Sequence, residues 1–332
     1  MEAHIADELP EGKNWQFEPK WDGFRCLAFR DGSSVELKAK SGKSLTRYFP
    51  DIAAALLRVP IGEFVFDGEL AIPIGGALSF DALQLRLHPA ESRVRKLANE
   101  TPAIYILFDL LLEPGNQSLV DLPLTVRRTA LEKTFGLLRR EGSFRLSSYS
   151  RDRREALRWL RAAGGALDGV IAKQLDAPYS SGERTMLKIK RLRTADCVVG
   201  GFRYAQKERQ VGSLLLGLYN DEGKLDHVGF TSGIAESERP KLTKMLEKLR
   251  KPPGFTGNAP GGPSRWSTER SAEWEPLAPK LVAEVRYDHL SSGRFRHGTK
   301  FLRWRPDKAP RQCTFEQFRK SRPQLARSLL QS

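Results

Sequence analysis

The sequence predicts an α+β chain in two domains: a larger first domain of strands interrupted by helices, and a smaller second domain built almost wholly of strands. Three observations lead there. Up to Arg191, short apolar or alternating runs interleave with amphipathic segments. Beyond Arg191 strands follow one another in quick succession, with a single helical stretch. The length of 332 residues and the 40% hydrophobic content suffice for two ordinary cores.

Taken in order, "QFEPKWDGFRCLAF" reads as one half-buried strand that holds the backbone stiff around Lys20, with Trp21, Phe24, Leu27 and Phe29 as its apolar side chains. "SVELKAKS" follows as a strand. A helix is expected over "FPDIAAALLRV", where Pro50-Asp51 makes a good first turn and Pro60 stops it. "EFVFDGELAI" is a strand, "LSFDALQLRL" a helix and "AIYILFDLL" a strand. Then come a helix in "PLTVRRTALEKTFG", a strand at "FRLSSYS", a helix in "DRREALRWLRAAGG" and the strands "LDGVIAKQL" and "RTMLKIKRL". The second domain offers the strands "ADCVVGGFRY", "GSLLLGLYN", "LDHVGFTSG", "LVAEVRYDHL" and "FLRWRPD", with a helix at Glu236 to Arg250. Five strands with a helix between the third and fourth is the count of a Greek-key barrel of the OB type. The expected boundaries are therefore 1–193, 194–310 and a tail, 311–332, holding a short amphipathic helix at most. The run "KPPGFTGNAPGGPSRW" at 251–266 is a Pro/Gly-rich loop inside the second domain. No internal repeat is visible.

Composition excludes several classes. No apolar stretch is long enough to span a membrane, and "MEAHIADELP" is acidic, unlike a secretory leader. Three scattered cysteines, Cys26, Cys197 and Cys313, give neither a disulfide framework nor a zinc site, which suits a reducing cytosol. His289 and His297 are at a spacing no zinc motif uses. A formal net charge of +15 favours a polyanionic partner.

Chemistry is carried by five short pieces. Lys20-x-Asp22-Gly23-x-Arg25 places an amine beside a carboxylate and a guanidinium, and a deprotonated lysine can attack phosphorus. Asp67-Gly68-Glu69 ends an apolar strand with acids, and Leu167-Asp168-Gly169-Val170-Ile171-Ala172-Lys173 carries a carboxylate at one end and a lysine at the other. Carboxylates on strands suit a magnesium ion that leans on substrate phosphates, although Asp-Gly pairs are also common hairpin turns. Lys188-Ile189-Lys190 puts two lysines on one strand face, and "KFLRWRPDK" gathers Lys300, Arg303, Arg305, Asp307 and Lys308. "AKSGKS" is not a phosphate-binding Walker loop, since Leu37 stands where that loop needs glycine.

Together and in this order the pieces resemble the covalent nucleotidyltransferases: ATP-dependent DNA ligases, RNA ligases and messenger-RNA capping enzymes. The resemblance runs from Phe17 to Lys308 and is most specific to compact, LigC-type bacterial ATP-dependent DNA ligases of actinobacteria, through "YILFDLL" and "LDGVIAKQLDAPYSSGERTMLKIK". It implies an adenylation domain of antiparallel sheets with flanking helices, joined to an OB domain. Lys20, with Asp22 beside it, would take AMP from ATP as a phosphoramidate. Glu18 would read the adenine edge, Arg25 and Glu69 hold the ribose, Phe108 stack on the base and Ile171 line the nucleotide site. Glu69 and Asp168 would bind Mg²⁺ or Mn²⁺ at the α-phosphate, which Lys188 and Lys190 would hold. Arg303, Arg305, Asp307 and Lys308 would orient the pyrophosphate, and Lys40 would meet the 5′-phosphate of DNA.

Two positions depart from the family pattern. Lys40 replaces an arginine and loses its bidentate grip on phosphate. Asp168 replaces a glutamate one methylene longer. The implied partner is nicked duplex DNA, with other DNA-repair proteins beside it, for a monomer in the bacterial cytosol at the nucleoid. The near alternatives are an RNA ligase or capping-type enzyme, and from another class a non-enzymatic OB-fold nucleic-acid binder. An NAD-dependent ligase would need a further N-terminal domain and a four-cysteine zinc site.

Overall fold

At Asp22-Gly23 the chain leaves one β-sheet and enters another, so the stretch expected as a single strand is two: β2 (Trp15–Trp21) and β3 (Phe24–Asp31). Gly23 permits the crossing, because a Cβ there would lie 2.3 Å from the Leu70 carbonyl oxygen. The structure is a computed structural model that describes residues 1–138, 141–162, 167–191, 193–205, 209–261, 273–296, 298–318 and 329–331. The chain divides into two units, Met1–Arg191 with Ser321–Ser332, and Leu192–Lys320.

In the first unit, a four-stranded sheet has the order β1 (Ala3–Ile5), β9 (Met186–Lys190), β8 (Leu167–Gln174), β2. A larger sheet runs through β7 (Phe144–Ser147), β6 (Ile104–Glu113), β5 (Glu63–Ala71), β3 and β4 (Ser34–Ala39). Pairing is antiparallel as expected except for β1 with β9 and β7 with β6, which are parallel. The inner faces of the two sheets meet over Phe17, Trp21, Ile106 and Val170, with Trp159 of helix α5 (Arg153–Ala162) closing that core. On the outer face of the larger sheet lie α1 (Pro50–Arg58), which starts at Pro50 and stops before Pro60, and α4 (Leu124–Leu138). Helix α2 (Phe80–Arg86) is capped by Ser79, whose hydroxyl accepts from the Ala82 amide at 3.2 Å. Helix α3 (Glu91–Glu100) was not expected: only Val94 and Ala98 are buried, too few to mark a period.

The second unit is an antiparallel sheet of five main strands in the order β12 (Leu225–Thr231), β11 (Val211–Tyr219), β10 (Arg193–Tyr204), β13 (Val282–Tyr287), β14 (Lys300–Trp304), with the short strand Glu275–Pro276 also paired to β10. A bridge between Thr231 and Thr299 brings the two edges together, and α6 (Arg239–Glu247) falls between the third and fourth strands. This is the OB arrangement.

Two stretches carry more structure than expected. The loop at 251–266 is partly core: Phe255 is buried between His227 and Trp274, with ring centroids 5.3 and 5.4 Å away. Residues 262–266 lie outside the described residues. The segment 311–332 is not one tail. Phe315–Phe318 forms a 3-10 turn in the second unit, whereas Leu330–Gln331 pairs with β7 of the first. Residues 319–328 and His297 lie outside the described residues.

Candidate active site

Register alone brings the chemistry of three strands onto one face. Lys20 of β2 is paired with Gly169 of β8, which is paired with Lys190 of β9. Two residues along, Glu18 pairs with Ile171 and Ile171 with Lys188; two further, Gln16 pairs with Lys173. Alternation then requires all these side chains to share a face, while Phe17, Trp21, Val170 and Ile189 turn into the core behind. Over that face opens a cavity of about 280 Å³, walled on the far side by Arg25, Glu69 and Phe108 from the larger sheet and rimmed by Glu2 and Lys40. Asp22 lies just beyond Lys20, buried.

Two of the candidate residues sit at β-bulges. Asp168 is skipped where the pairing jumps from Leu167–Trp21 to Gly169–Lys20, and Phe108 is skipped where it jumps from Asp67–Asp109 to Gly68–Leu107. A bulge re-aims the extra side chain. Asp168 thereby reaches Lys20 Nζ at 2.6 Å and Lys190 Nζ at 3.1 Å. None of Gly23, Gly68 and Gly169 is in a hairpin turn, unlike Gly32 of Asp31-Gly32, which turns β3 into β4. A Cβ on Gly68 would press on Tyr105 and Ile106, and one on Gly169 would lie 2.1 Å from the Ile189 carbonyl oxygen.

Burial works to raise the pKa of Asp168, but the Lys20 and Lys190 ammoniums outweigh it and hold the carboxyl below its usual range. Glu69 goes the other way: burial, aided by Asp22 and Asp67, pushes it up to about 8 against the pull of Lys20 and Arg25. One Glu69 oxygen accepts from the Gly23 amide at 3.1 Å. Lys188 is lowered by burial and by the ammoniums of Lys190, Lys20 and Lys40. Ammoniums gathered closely enough around a cavity to depress Lys188 form a site that an anion would relieve.

Several residues of the site were assigned no role from the sequence. Lys173 is buried and makes an ion pair of 2.8 Å with Glu18, which also accepts from Gln16 at 2.8 Å; the Lys173 ammonium lies 4.8 Å from the centre of the Phe108 ring. Their common register is the signal that would have found them. Arg25 is held by Asp67 through Nε at 3.1 Å and Nη2 at 2.6 Å, and Tyr179 donates to the same carboxylate at 2.8 Å. Tyr179 lies far along the chain from both, and nothing local marks it. Lys40 pairs with Glu2 at 3.0 Å.

Arg303, Arg305, Asp307 and Lys308 belong to the second unit. There Arg303 meets Glu284 at 2.6 Å, while Arg305 is gripped by Asp307 at 2.7 Å and by Asp196 at 3.0 Å. Lys308 shares Asp196 at 2.8 Å.

The chain is similar to known proteins over most of its length. Residues 2–190 match the family model described as ATP dependent DNA ligase domain, and residues 207–308 match that of the ATP dependent DNA ligase C terminal region. DNA ligase C1 of Mycolicibacterium smegmatis is 44% identical, over 96% of this chain and 92% of its own length. DNA ligase C of Mycobacterium tuberculosis is 42% identical, over 91% of this chain and 88% of its own. A solved Lig E DNA ligase shares the fold, with a TM-score of 0.55 at 18% identity over 92% of this chain and 99% of that one. The lysine-centred cavity, the barrel and these matches converge: the chain belongs to the family of ATP-dependent DNA ligases.

Proposed function

We propose that this enzyme seals nicks between a 5′-phosphate and a 3′-hydroxyl in duplex DNA, with Lys20 as the residue that carries AMP. The observation that carries the reading is the Lys20–Asp168 contact of 2.6 Å on a cavity face that also bears Glu18, Lys188 and Lys190. The Lys20 amine attacks the α-phosphorus of ATP as the bond to pyrophosphate breaks, and Asp168 stands nearest to take the proton the amine must lose. The AMP then passes to the 5′-phosphate, freeing Lys20, and the 3′-hydroxyl displaces AMP to close the strand.

Glu18 and Lys173 set an acceptor beside a donor, which suits the N6 amine and N1 of adenine. Phe108 offers a ring for the base, Ile171 the floor, and Arg25 with Glu69 the ribose contacts. Lys188 and Lys190 would hold the α-phosphate, Arg303, Arg305, Asp307 and Lys308 the leaving pyrophosphate, and Lys40 the 5′-phosphate. Residues 1–193 would form the adenylation domain and 194–310 the OB domain.

Among the described residues no group of three or more His, Cys, Asp or Glu side chains forms a ready-made metal site. An ionised Asp168 facing the phosphate position is still the kind of donor that Mg²⁺ or Mn²⁺ uses together with substrate phosphate and water. Such an ion would neutralise charge on the α-phosphate. Glu69, favoured as the neutral acid at pH 7, suits a ribose hydroxyl better than a cation.

We place the enzyme in DNA repair, as a monomer in the bacterial cytosol at the nucleoid, alone or beside other repair proteins. Similarity to the mycobacterial DNA ligase C proteins and the +15 charge support this. No helix among the described residues is long and apolar enough to cross a membrane.

The experiment is to incubate the protein, stripped of bound AMP, with α-labelled ATP and Mg²⁺ beside Lys20→Ala. Label that survives denaturation on the wild type alone is expected, followed by transfer to nicked DNA. Equal labelling of both proteins would remove Lys20 from its role.

A further inference from the structure

Asp196 lies near the start of β10 and holds two cations with one carboxylate. Arg305 Nη1 donates to Oδ1 at 3.0 Å and to Oδ2 at 3.2 Å, and Lys308 Nζ donates to Oδ2 at 2.8 Å. The Asp196 backbone is pinned as well. Its amide donates to Gln317 Oε1 at 3.0 Å, and its carbonyl accepts from Gln317 Nε2 at 3.2 Å. Asp307 takes the other edge of the guanidinium, from Nε at 2.9 Å and Nη2 at 2.7 Å. A turn in which the Lys308 amide donates to the Arg305 carbonyl at 3.2 Å fixes the spacing of the two residues.

An arginine and a lysine side by side and partly open to solvent, as Arg305 and Lys308 are, repel each other and would otherwise carry much rotamer freedom. A shared carboxylate removes both obstacles: it cancels the repulsion and sets the two head groups about one anion apart. We propose that Asp196 is a positioning residue for release of pyrophosphate from ATP, holding Arg305 and Lys308 side by side as a preformed clamp for the leaving phosphates. The inference rests on the proposed role of Arg305 and Lys308 in the adenylation step. Asp196 touches no substrate and acts through the two cations.

The test compares Asp196→Asn, Asp196→Glu and Arg305→Ala in the full chain. Two rates are read: formation of lysyl-AMP from α-labelled ATP, and sealing of a nick already carrying AMP on its 5′-phosphate, which needs no pyrophosphate contact. Asp196→Asn should slow the first roughly 10- to 100-fold, as misplaced charged groups do, and change the second by less than about twofold. Asp196→Glu, which keeps the charge, should recover part of the loss. Equal losses in both rates would mean that Asp196 merely supports the barrel, and unchanged or faster adenylation would mean that it only parks the cations; either overturns the inference. If Arg305→Ala adenylates normally, the pyrophosphate role of the motif falls and this inference with it. If Arg305→Ala is slow and Asp196→Asn is not, only the inference falls.

Discussion

Glu69 and Asp168 both feel the charge of Lys20, yet their surroundings drive them apart. Asp168 is held ionised by two ammoniums, whereas burial raises Glu69 from 4.5 to about 8. Between those two values the folded chain keeps a proton on Glu69 that the unfolded chain has released. Stability from this group is therefore present at low pH and is lost as pH rises toward 8. The thermal midpoint of the wild type should fall relative to that of Glu69→Gln between about pH 5 and pH 8. A difference between the two proteins that stays constant over that window would show that Glu69 titrates normally. The comparison is needed because His227 runs in the opposite sense: burial and the nearby Arg294 and Arg203 lower it to about 3, so its contribution to stability grows as pH rises from there to about 6.5 and is constant above.

At the level of strands and bulges, the site depends on Gly169. It lies at φ +148°, and a Cβ would collide with the Ile189 carbonyl oxygen at 2.1 Å. Gly169→Ala should cost roughly 2–4 kcal/mol in urea unfolding and slow adenylation by displacing Asp168 from Lys20. An unfolding midpoint equal to that of the wild type would mean that the bulge relaxes freely. The same feature shows what could be seen in advance. Alternation made the lysines of Lys188-Ile189-Lys190 share a face, and apolar runs located the main strands, because both are local patterns. Pairing partners are not local. That Asp22-Gly23 joins two sheets, that Asp168 and Phe108 are bulged, and that Lys173 meets Glu18 all follow from register between strands distant in sequence. Short or polar elements escaped for a different reason: Ala3–Ile5 has three residues, and α3 buries only two side chains.

Across the whole chain the +15 charge sets the terms of DNA binding. Contacts with many phosphates release counterions, so the Kd for nicked duplex should weaken roughly 100-fold or more between about 50 and 200 mM salt, while lysyl-AMP formation changes far less. Binding that shifts less than about twofold over that range would mean that few phosphates are engaged. The pairing of Leu330–Gln331 with β7 has another consequence, in the order of synthesis. Leu329, packed in the core between the sheets, and the strand beside it come from a part of the chain that a ribosome makes only after the entire barrel. Until then the outer edge of β7 has bare hydrogen-bonding groups and is open to pairing with other nascent chains. The barrel is thus made within an interruption in the assembly of its neighbour, and a fragment ending at Arg191 would keep that sticky edge for good.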